Sequence, residues 1–202
     1  GITGHSRTDK LCDAASRVQP DYVVITDETA ASGVNSDMLP DGCELLVGEE
    51  GVIRLVQDDQ VDIVVAAIVG FAGLRGTWAA LEKGKTVALA NKETLVVGGP
   101  LVTRLAADNN AQIIPVDSEH SAILQALQGA KSSQVKRVIL TASGGPFLHH
   151  TKDQLDAVTV EEALAHPTWQ MGPKITVDSA TMMNKALEII EARWLFDLPV
   201  EK

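Results

Sequence analysis

The stretch that decides the fold is Gln112-Ile113-Ile114-Pro115-Val116-Asp117-Ser118-Glu119-His120. Its apolar first half predicts a strand, and two carboxylates, Asp117 and Glu119, follow directly. Residues two apart at the end of a strand point to the same side, so these carboxylates are held together. Like charges this close need a proton or a cation between them. The stretch therefore predicts a strand that ends in a functional, polar edge.

A second acidic stretch occupies residues 177–188 and predicts a helix with Asp178 or Ser179 as its N-cap. On a helical wheel, an apolar face that we expect to pack inward is formed by Met183, Leu187, Ile190 and Trp194. The opposite face carries Asn184, Lys185 and Glu188.

Three carboxylates, those of Asp117, Glu119 and Glu188, are oxygen donors that suit a hard divalent cation such as Mg²⁺ or Mn²⁺. Lys185 and Asn184 suit phosphate or sugar oxygens. The alternative is that Glu188 is a solvated helix residue paired with Lys185, three residues earlier. Spacing alone leaves both interpretations open.

The composition is that of an ordinary globular protein, with 202 residues, 45% of them hydrophobic, enough for one large domain or two smaller ones. A net charge of −10 without a basic patch argues against a nucleic-acid partner. No apolar run reaches the roughly 18 residues of a transmembrane helix, so we expect no membrane partner. Cys12 and Cys43 have no metal or redox spacing, which favours reduced thiols in a cytosol-like compartment.

Up to about residue 140, apolar runs typical of buried parallel strands alternate with helical segments. The predicted strands are Tyr22–Ile25, Ile63–Ala67, Thr86–Leu89 and Gln112–Val116. The predicted helices are Thr8–Val18, Leu74–Leu81 (ended by Gly84), Leu95–Asp108 and Ser118–Leu127. This alternation predicts an α/β fold with a Rossmann-like, doubly wound parallel sheet.

The second half of the chain predicts a turn at residues 129–133, a strand at Val135–Thr141 and a long connection. That connection, residues 143–173, is rich in glycine and proline and typical of a mobile lid. Within it, the glycines of Ser143-Gly144-Gly145-Pro146 let backbone N–H groups approach an oxyanion, or simply form a turn.

A complete dinucleotide-binding fold opens with a glycine-rich phosphate loop, and none precedes the first predicted helix here. Residues 1–7 instead resemble the end of a second strand, where an Arg accommodates the 2′-phosphate of NADP. Candidates for that site are Gly4, His5, Ser6 and Arg7. The alternative is a helix N-cap, Ser6 or Thr8, beside a solvated Arg7.

Five motifs of the chain are specific when they are taken together. They are Ala90-Asn91-Lys92-Glu93, Pro115-Val116-Asp117-Ser118-Glu119-His120, Ser143-Gly144-Gly145-Pro146-Phe147, His166-Pro167-Thr168-Trp169-Gln170-Met171-Gly172 and Asp178-Ser179-Ala180-Thr181-Met182-Met183-Asn184-Lys185. They resemble the motifs of the 1-deoxy-D-xylulose 5-phosphate reductoisomerase family and occur in that family's order across nearly the whole chain. The family's enzymes are longer, so the resemblance makes this chain an internal portion.

The resemblance implies an enzyme of the non-mevalonate isoprenoid pathway that uses NADPH and one Mn²⁺ or Mg²⁺. It converts 1-deoxy-D-xylulose 5-phosphate, a small sugar phosphate, to 2-C-methyl-D-erythritol 4-phosphate. The resemblance also implies an NADPH-binding Rossmann-like domain at residues 1–117, lacking its first strand and glycine loop. Residues 118–202 then form a portion of an α+β catalytic domain with a metal site and a flexible flap. We expect a homodimer in the full-length protein, in the cytoplasm, or in the plastid stroma if a transit peptide was removed.

The resemblance also assigns roles to residues. The metal ligands are Asp117, Glu119 and Glu188, which form the catalytic set together with Lys92. Substrate contacts are Lys92, Ser118, Glu119, Ser143, His166, Trp169, Ser179, Asn184, Lys185 and Glu188, with Trp169 on the flap. Cofactor contacts are Gly4, His5, Ser6, Arg7, Asn91, Glu93 and Gly172. No role falls to His120, His149 or His150.

Two other functions stay open at this point. One is a different NADP-linked aldehyde or semialdehyde reductase on the same sheet topology. The other is a non-catalytic module that binds a nucleotide or a metal without turnover.

Overall fold

The computed structural model describes residues 1–129 and 132–202, without the side chain of residue 132. In these ranges the strands are β1 (Ile2–Gly4), β2 (Tyr22–Ile25), β3 (Glu44–Val47), β4 (Ile63–Ala66), β5 (Thr86–Leu89) and β6 (Gln112–Pro115). The helices are α1 (Thr8–Val18), α2 (Glu28–Ala31), α3 (Gly48–Gln57), α4 (Gly73–Glu82), α5 (Lys92–Asp108), α6 (Ser118–Leu127), α7 (Lys152–Leu155), α8 (Val160–Leu164), α9 (Pro173–Ala180) and α10 (Met183–Phe196).

The chain divides into two compact units. Unit 1 comprises Gly1–Asn91 and Arg104–Ile114, and unit 2 comprises Lys92–Thr103 and Pro115–Lys202. No helix of the described residues is long and apolar enough to cross a membrane.

Unit 1 contains two three-stranded sheets, in the orders β1-β2-β3 and β4-β5-β6. The pairs β1–β2, β2–β3 and β4–β5 are parallel. In each sheet the strands lie in sequence order, starting from β1 at one edge of the first sheet and from β4 at one edge of the second. This arrangement confirms the predicted α/β class with parallel, doubly wound strands.

The core of the first sheet follows from the apolar run of β2, because Val23, Val24 and Ile25 are fully buried. Cys12 and Ala15 of α1 belong to the same apolar cluster. Burial of each aliphatic side chain stabilises the fold by about 1.5–3 kcal/mol. As predicted, the middle strand is covered on both faces.

The strand β4 is less buried than β2, because the side chains of Ile63 and Val65 are 63% and 66% exposed. Both residues line a groove of about 760 Å³ that also includes Ile2 and Thr3 of β1. Both β1 and β4 stand at the end of their sheets. The prediction of a strand buried on both faces is therefore wrong for β4, since no described strand pairs along its free edge.

Helix boundaries mostly follow the predicted ones, and α1 and α6 match them at both ends. The helix α5 begins at Lys92 rather than Leu95. Gly84 adopts a left-handed φ of +69° just after α4, as expected of a helix-ending glycine.

The predicted strand Val135–Thr141 is wrong, because no described strand pairs with it. Instead, the Val138 N–H donates a hydrogen bond to the backbone oxygen of Lys202 at 2.7 Å. The predicted turn at residues 129–133 includes residues 130 and 131, which lie outside the described part.

The connection at residues 143–173 is less irregular than predicted, because it contains α7 and α8. Each begins with a capping box, Thr151 with Gln154 and Thr159 with Glu162. The reciprocal hydrogen bonds satisfy backbone groups that so short a helix leaves without partners.

The predicted single helix starting at Asp178 or Ser179 is also wrong. Both residues lie inside α9, which starts earlier with Pro173 in its first turn. Met182, with a left-handed φ of +61°, separates α9 from α10. The chain therefore changes direction between two helices within the motif that the sequence treats as continuous.

Candidate active site

Three carboxylates from two helices meet in unit 2. Asp117 is the N-cap of α6 and accepts a hydrogen bond from the Glu119 N–H at 3.1 Å. Glu188 comes from the second turn of α10. One oxygen of each carboxylate lies within 4.8 Å of the other two. The structure thus brings together the three residues predicted to hold a cation.

Two lysines fill the space around these carboxylates. Lys92, the first residue of α5, donates to Asp117, and its Nζ lies 3.9 Å from Glu188 Oε1. Lys185 donates to Glu188 and, at 3.1 Å, to Glu119. Lys185 and Glu188 are thus the i, i+3 pair of the alternative interpretation, but Glu188 is only 1% exposed rather than solvated. We call these five residues the carboxylate–lysine cluster.

The lysines set the ionisation of the cluster. Burial raises the pKa of Asp117, but the Lys92 ammonium outweighs it and brings the pKa below its ordinary value. Glu119 follows the same pattern, with burial opposed by hydrogen bonds from Ser118 and Lys185, and its pKa is also lowered. For Glu188, burial prevails over Lys185 and raises the pKa. A cation would favour the ionised form of all three carboxylates.

The polar side of α10 faces the cluster, as the metal-site interpretation requires. The predicted inward packing of the apolar side is wrong for two of its four residues. Met183 and Ile190, expected to pack inward, are exposed. Asn184 instead donates to Glu188 at 2.5 Å. Its Oδ1 is buried and has no hydrogen-bond partner among the described residues. An acceptor left in this state is suited to a ligand hydroxyl or a cation.

A pocket of about 380 Å³ adjoins the cluster. Its volume is suited to a small metabolite. Besides the cluster, the predicted substrate residues that line it are Ser118, Ser143, His166, Trp169, Ser179 and Asn184. All ten predicted substrate residues therefore lie around one cavity.

His166 and Trp169 form one side of this pocket. His166 Nδ1 accepts from the backbone N–H groups of Thr168 and Trp169, both at 3.1 Å. The proton of the neutral ring is thereby assigned to Nε2, which lies 3.3 Å from Ser143 Oγ. Trp169 itself is 62% exposed, so its indole is available to close over a ligand.

The glycines after Ser143 are required by geometry. Gly144 and Gly145 have φ values of +85° and +65°. A Cβ on Gly145 would lie 2.8 Å from the Ser179 carbonyl oxygen. Gly145 also donates its N–H to Ser143 Oγ at 3.3 Å. The motif is therefore a tight backbone bend that holds two pocket serines, Ser143 and Ser179, near each other.

Sequence reasoning missed two buried residues below the cluster, His120 and Glu191. His120 is 1% exposed, and its Nε2 lies 2.9 Å from the Glu188 carbonyl oxygen. Its Nδ1 is 3.8 Å from Asp117 and 3.9 Å from Glu191. Burial raises the pKa of Glu191 to about 8, against the opposing charge of Lys92. Glu191 lies three residues after Glu188, and that helical spacing was the available signal.

The predicted cofactor residues lie at the ends of strands and helices. Gly4 ends β1, and His5 Nδ1 lies 2.8 Å from the Thr26 hydroxyl beyond β2. The N-cap of α1 is Arg7, without a side-chain capping bond, so the capping alternative of Ser6 or Thr8 is wrong.

Asn91 follows β5 in unit 1 and is buried. In unit 2, Glu93 pairs with Lys174 at 2.7 Å, and Gly172 is the N-cap of α9. His149 and His150 are exposed, as predicted for surface residues.

The fold and the cluster define the class: an α/β protein with doubly wound parallel strands and a carboxylate–lysine site suited to a divalent cation. Residues 1–99 match the family model for 1-deoxy-D-xylulose 5-phosphate reductoisomerase, and residues 113–196 match the model for the C-terminal domain of that enzyme. The chain belongs to the 1-deoxy-D-xylulose 5-phosphate reductoisomerase family.

Relatives named 1-deoxy-D-xylulose 5-phosphate reductoisomerase are similar along the chain. The Rhodopirellula baltica protein is 46% identical, over 100% of this chain and 54% of its own length. The Clostridium perfringens protein is 48% identical, over 98% of this chain and 52% of its own. The chain spans about half the length of the curated relatives it matches.

Solved structures give the same result. A DOX-P reductoisomerase in complex with NADPH, fosmidomycin and magnesium has a TM-score of 0.88 and 45% identity, covering 98% of this chain and 51% of that one. The Zymomonas mobilis 1-deoxy-D-xylulose 5-phosphate reductoisomerase in complex with NADPH has a TM-score of 0.88 and 41% identity, covering 99% and 51%.

Proposed function

We propose that the protein containing this chain is an NADPH- and divalent-metal-dependent reductoisomerase. It converts 1-deoxy-D-xylulose 5-phosphate to 2-C-methyl-D-erythritol 4-phosphate in the non-mevalonate isoprenoid pathway. The observation that carries the proposal is the meeting of Asp117, Glu119 and Glu188 beside a pocket lined by the predicted substrate residues. The family assignment supports this particular substrate.

The cluster residues fit a divalent cation. Three carboxylates outnumber two lysines, and Asn184 Oδ1 remains as a buried acceptor without a described partner. Asp117, Glu119 and Glu188 would hold the ion, and it would supply Lewis acidity to the carbonyl and adjacent hydroxyl of the substrate. Magnesium in two similar reductoisomerase structures supports this assignment.

The protein's own groups then position the substrate. Ser143, Ser179, Asn184 and Lys185 would bind the phosphate group, since they contribute hydroxyl, amide and ammonium donors to one pocket. Ser118 and Lys92 would bind the carbon backbone, and His166 and Trp169 would cover it. Trp169 thereby excludes water while carbon–carbon bond cleavage and re-formation take place.

The second part of the proposal is that residues 1–117 belong to an NADPH-binding domain. The apolar groove between the free edges of β1 and β4 supports this view, because a parallel strand inserted there would join two sheets into one. NADPH supplies the hydride that reduces the rearranged aldehyde.

Several residues of this chain are proposed to contact NADPH. The Arg7 guanidinium, which has no ion-pair partner in the described part of the chain, would bind the 2′-phosphate, with Gly4, His5 and Ser6 beside it. Asn91, Glu93 and Gly172 are assigned to the nicotinamide half.

The test is an assay of the complete protein with 1-deoxy-D-xylulose 5-phosphate, NADPH and Mn²⁺ or Mg²⁺. We expect loss of NADPH absorbance that stops on chelation of the metal. Oxidation of NADPH with simple aldehydes alone would instead select the aldehyde or semialdehyde reductase. Metal binding without any turnover would select the non-catalytic module.

The proposal includes a homodimer in the cytoplasm, with no nucleic acid or membrane as partner. The two free thiols, Cys12 and Cys43, support a reducing compartment. Light scattering of the complete protein tests the dimer, and a monomer at working concentration would contradict it.

A further inference from the structure

Lys174, the second residue of α9, links this helix to α5. Its Nζ lies 2.7 Å from Oε1 of Glu93, in the first turn of α5, and 2.6 Å from Oδ2 of Asp178, four residues later in α9. The side chains of Glu93 and Asp178 are 19% and 17% exposed, whereas that of Lys174 is 47% exposed. One ammonium therefore separates two largely buried carboxylates that belong to different helices.

The place of this ammonium is unfavourable for α9 alone. The N-terminus of a helix carries a partial positive charge, which repels a cation in the first turn. The first turn of α9, residues 173–176, contains no acidic residue that could offset this repulsion. Glu93, in contrast, is an acidic residue in the first turn of α5, where the helix dipole favours it. Lys174 therefore stabilises the contact between the two helices more than it stabilises α9.

Both of these helices carry residues proposed to bind the substrate. Ser179 of α9 is assigned to the phosphate group, and Lys92, the first residue of α5, is assigned to the carbon backbone. Both line the same pocket. A substrate that reaches from Ser179 to Lys92 requires a fixed separation between α9 and α5. The ion pair of Lys174 with Glu93 is a contact that holds this separation.

Direct binding of the phosphate group by Lys174 is the alternative. Of the described residues that line the pocket, two are lysines, Lys92 and Lys185, and Lys174 is not among them. The two carboxylates that hold the Lys174 ammonium would also repel a phosphate dianion. The geometry therefore favours an indirect role.

We propose that Lys174 is a positioning residue, which holds α9 against α5 so that Ser179 and Lys92 reach opposite ends of one sugar phosphate. This inference rests on the proposed function and goes beyond it, because the family motifs do not include Lys174. Without the ammonium, the carboxylates of Glu93 and Asp178 repel each other and α9 moves away from α5.

The experiment compares a ligand that spans the pocket with ligands that occupy one end of it, in the complete enzyme. For Lys174→Ala we expect the KM for 1-deoxy-D-xylulose 5-phosphate to rise about tenfold, since a misplaced group costs up to about 10²-fold. The inhibition constant of inorganic phosphate, which needs Ser179 but not Lys92, should stay unchanged, as should the affinity for Mn²⁺. Lys174→Arg keeps a cation between the two carboxylates and should restore the KM.

Asp178→Asn separates the two partners of Lys174. This variant keeps the ion pair with Glu93, so the KM should change less than in Lys174→Ala. If Lys174 acted only within α9, the loss of its i, i+4 partner would be equally harmful. The matched control is Arg104→Ala, which removes a cation from an exposed pair with Asp108 near the other end of α5 and should leave the KM unchanged.

Three results would overturn the proposal. Weaker inhibition of Lys174→Ala by inorganic phosphate would mean that Lys174 binds phosphate directly. An unchanged KM for the sugar phosphate in Lys174→Ala would mean that the ion pair does not position the helices. Early melting of Lys174→Ala, with phosphate and Mn²⁺ binding lost together, would make Lys174 structural, since partly exposed ion pairs contribute little to stability. A wild-type enzyme that does not turn over the sugar phosphate refutes the proposed function itself.

Discussion

The carboxylate–lysine cluster is a preformed site, because ion pairs within the chain hold its side chains together. The residues after β1 make no such ion pairs with the described residues and form an open site. In the cluster, Lys92 and Lys185 bind carboxylates from α6 and α10, and their charges are largely compensated. After β1, Arg7 is exposed and pairs with no carboxylate of the described residues. Preformed sites lose function when one charge is removed, because the remaining charges are left buried and unbalanced. Open sites depend on the ligand to order them, so their residues should affect ligand affinity alone.

The strongest test of the preformed site is Asp117→Asn. The change removes a proposed cation ligand and the nearer of the two carboxylates beside Lys92. We therefore expect kcat/KM to fall roughly 10²–10³-fold, as on loss of one electrostatic group in other enzymes. Calorimetric titration with Mn²⁺ should show weaker binding. Asp13→Asn is the control, because Asp13 pairs with Arg17 on the exposed side of α1. Unchanged Mn²⁺ affinity in Asp117→Asn would refute the metal site.

Trp169→Ala tests the proposed flap, whose expected effect on activity is smaller than that at the preformed site and larger than that at the open site. Loss of the covering indole should lower kcat/KM by up to about 10²-fold, the scale of a misplaced substrate. Thermal stability should hardly change, because the side chain is 62% exposed. We also expect residues 143–172 to be the most mobile part of the chain when no ligand is bound. Substrate or a phosphonate mimic should then shift Trp169 fluorescence and protect this segment from proteolysis. Trp78→Ala, which removes an indole bound to Glu82, is the control. A variant that melts early while its folded fraction works normally would make Trp169 structural.

Arg7→Ala tests the open site. A guanidinium binds a phosphate dianion through charge-assisted hydrogen bonds worth about 1.5–3 kcal/mol, so the KM for NADPH should rise about tenfold or more. The KM for NADH should stay nearly constant. Arg17→Ala, at the other end of α1, controls for loss of charge on the same helix. Equal effects on both cofactors would assign Arg7 a structural role.

Glu191→Gln should have the smallest effect on turnover at pH 7. Burial raises the pKa of Glu191 from 4.5 to about 8, so the group is already neutral there, like the glutamine. The folded-state pKa lies above the unfolded one, so the wild-type protein loses stability as pH rises from about 4.5 to about 8. In metal-free protein, thermal denaturation should therefore show equal stability near pH 4 and a growing advantage of the variant up to pH 8. Parallel curves would mean that folding does not raise the pKa of Glu191.

The sequence predicted the parts of the fold that local pattern determines. The fully buried run at β2 and the amphipathic pattern of α1 gave their bounds correctly. The predicted strand Val135–Thr141 failed, because a strand needs a partner and local pattern does not supply one. The prediction of one continuous helix failed at Met182, because a methionine gives no sign in the sequence that its backbone adopts a left-handed conformation.

The candidate site was predictable through its motifs rather than through geometry. Asp117, Glu119 and Glu188 converge as the motifs indicated. Met183 and Ile190, which the helical wheel placed on an inward-packing face, are nevertheless exposed. A hydrophobicity argument assumes that polar faces point to water. Here Lys185 and Asn184 offset the cost of burying Glu188, so the polar face points inward.

The left-handed turn between α9 and α10 restricts how many residues can connect these two helices. Thr181 and Met182 are exposed, and exposed turns normally accept inserted residues. An insertion here would shift the register of α10 by about 100° per residue. Glu188 would leave the cluster and a hydrophobic neighbour would take its place, although both helices could remain intact. We therefore expect substitutions in this turn to be tolerated better than insertions or deletions.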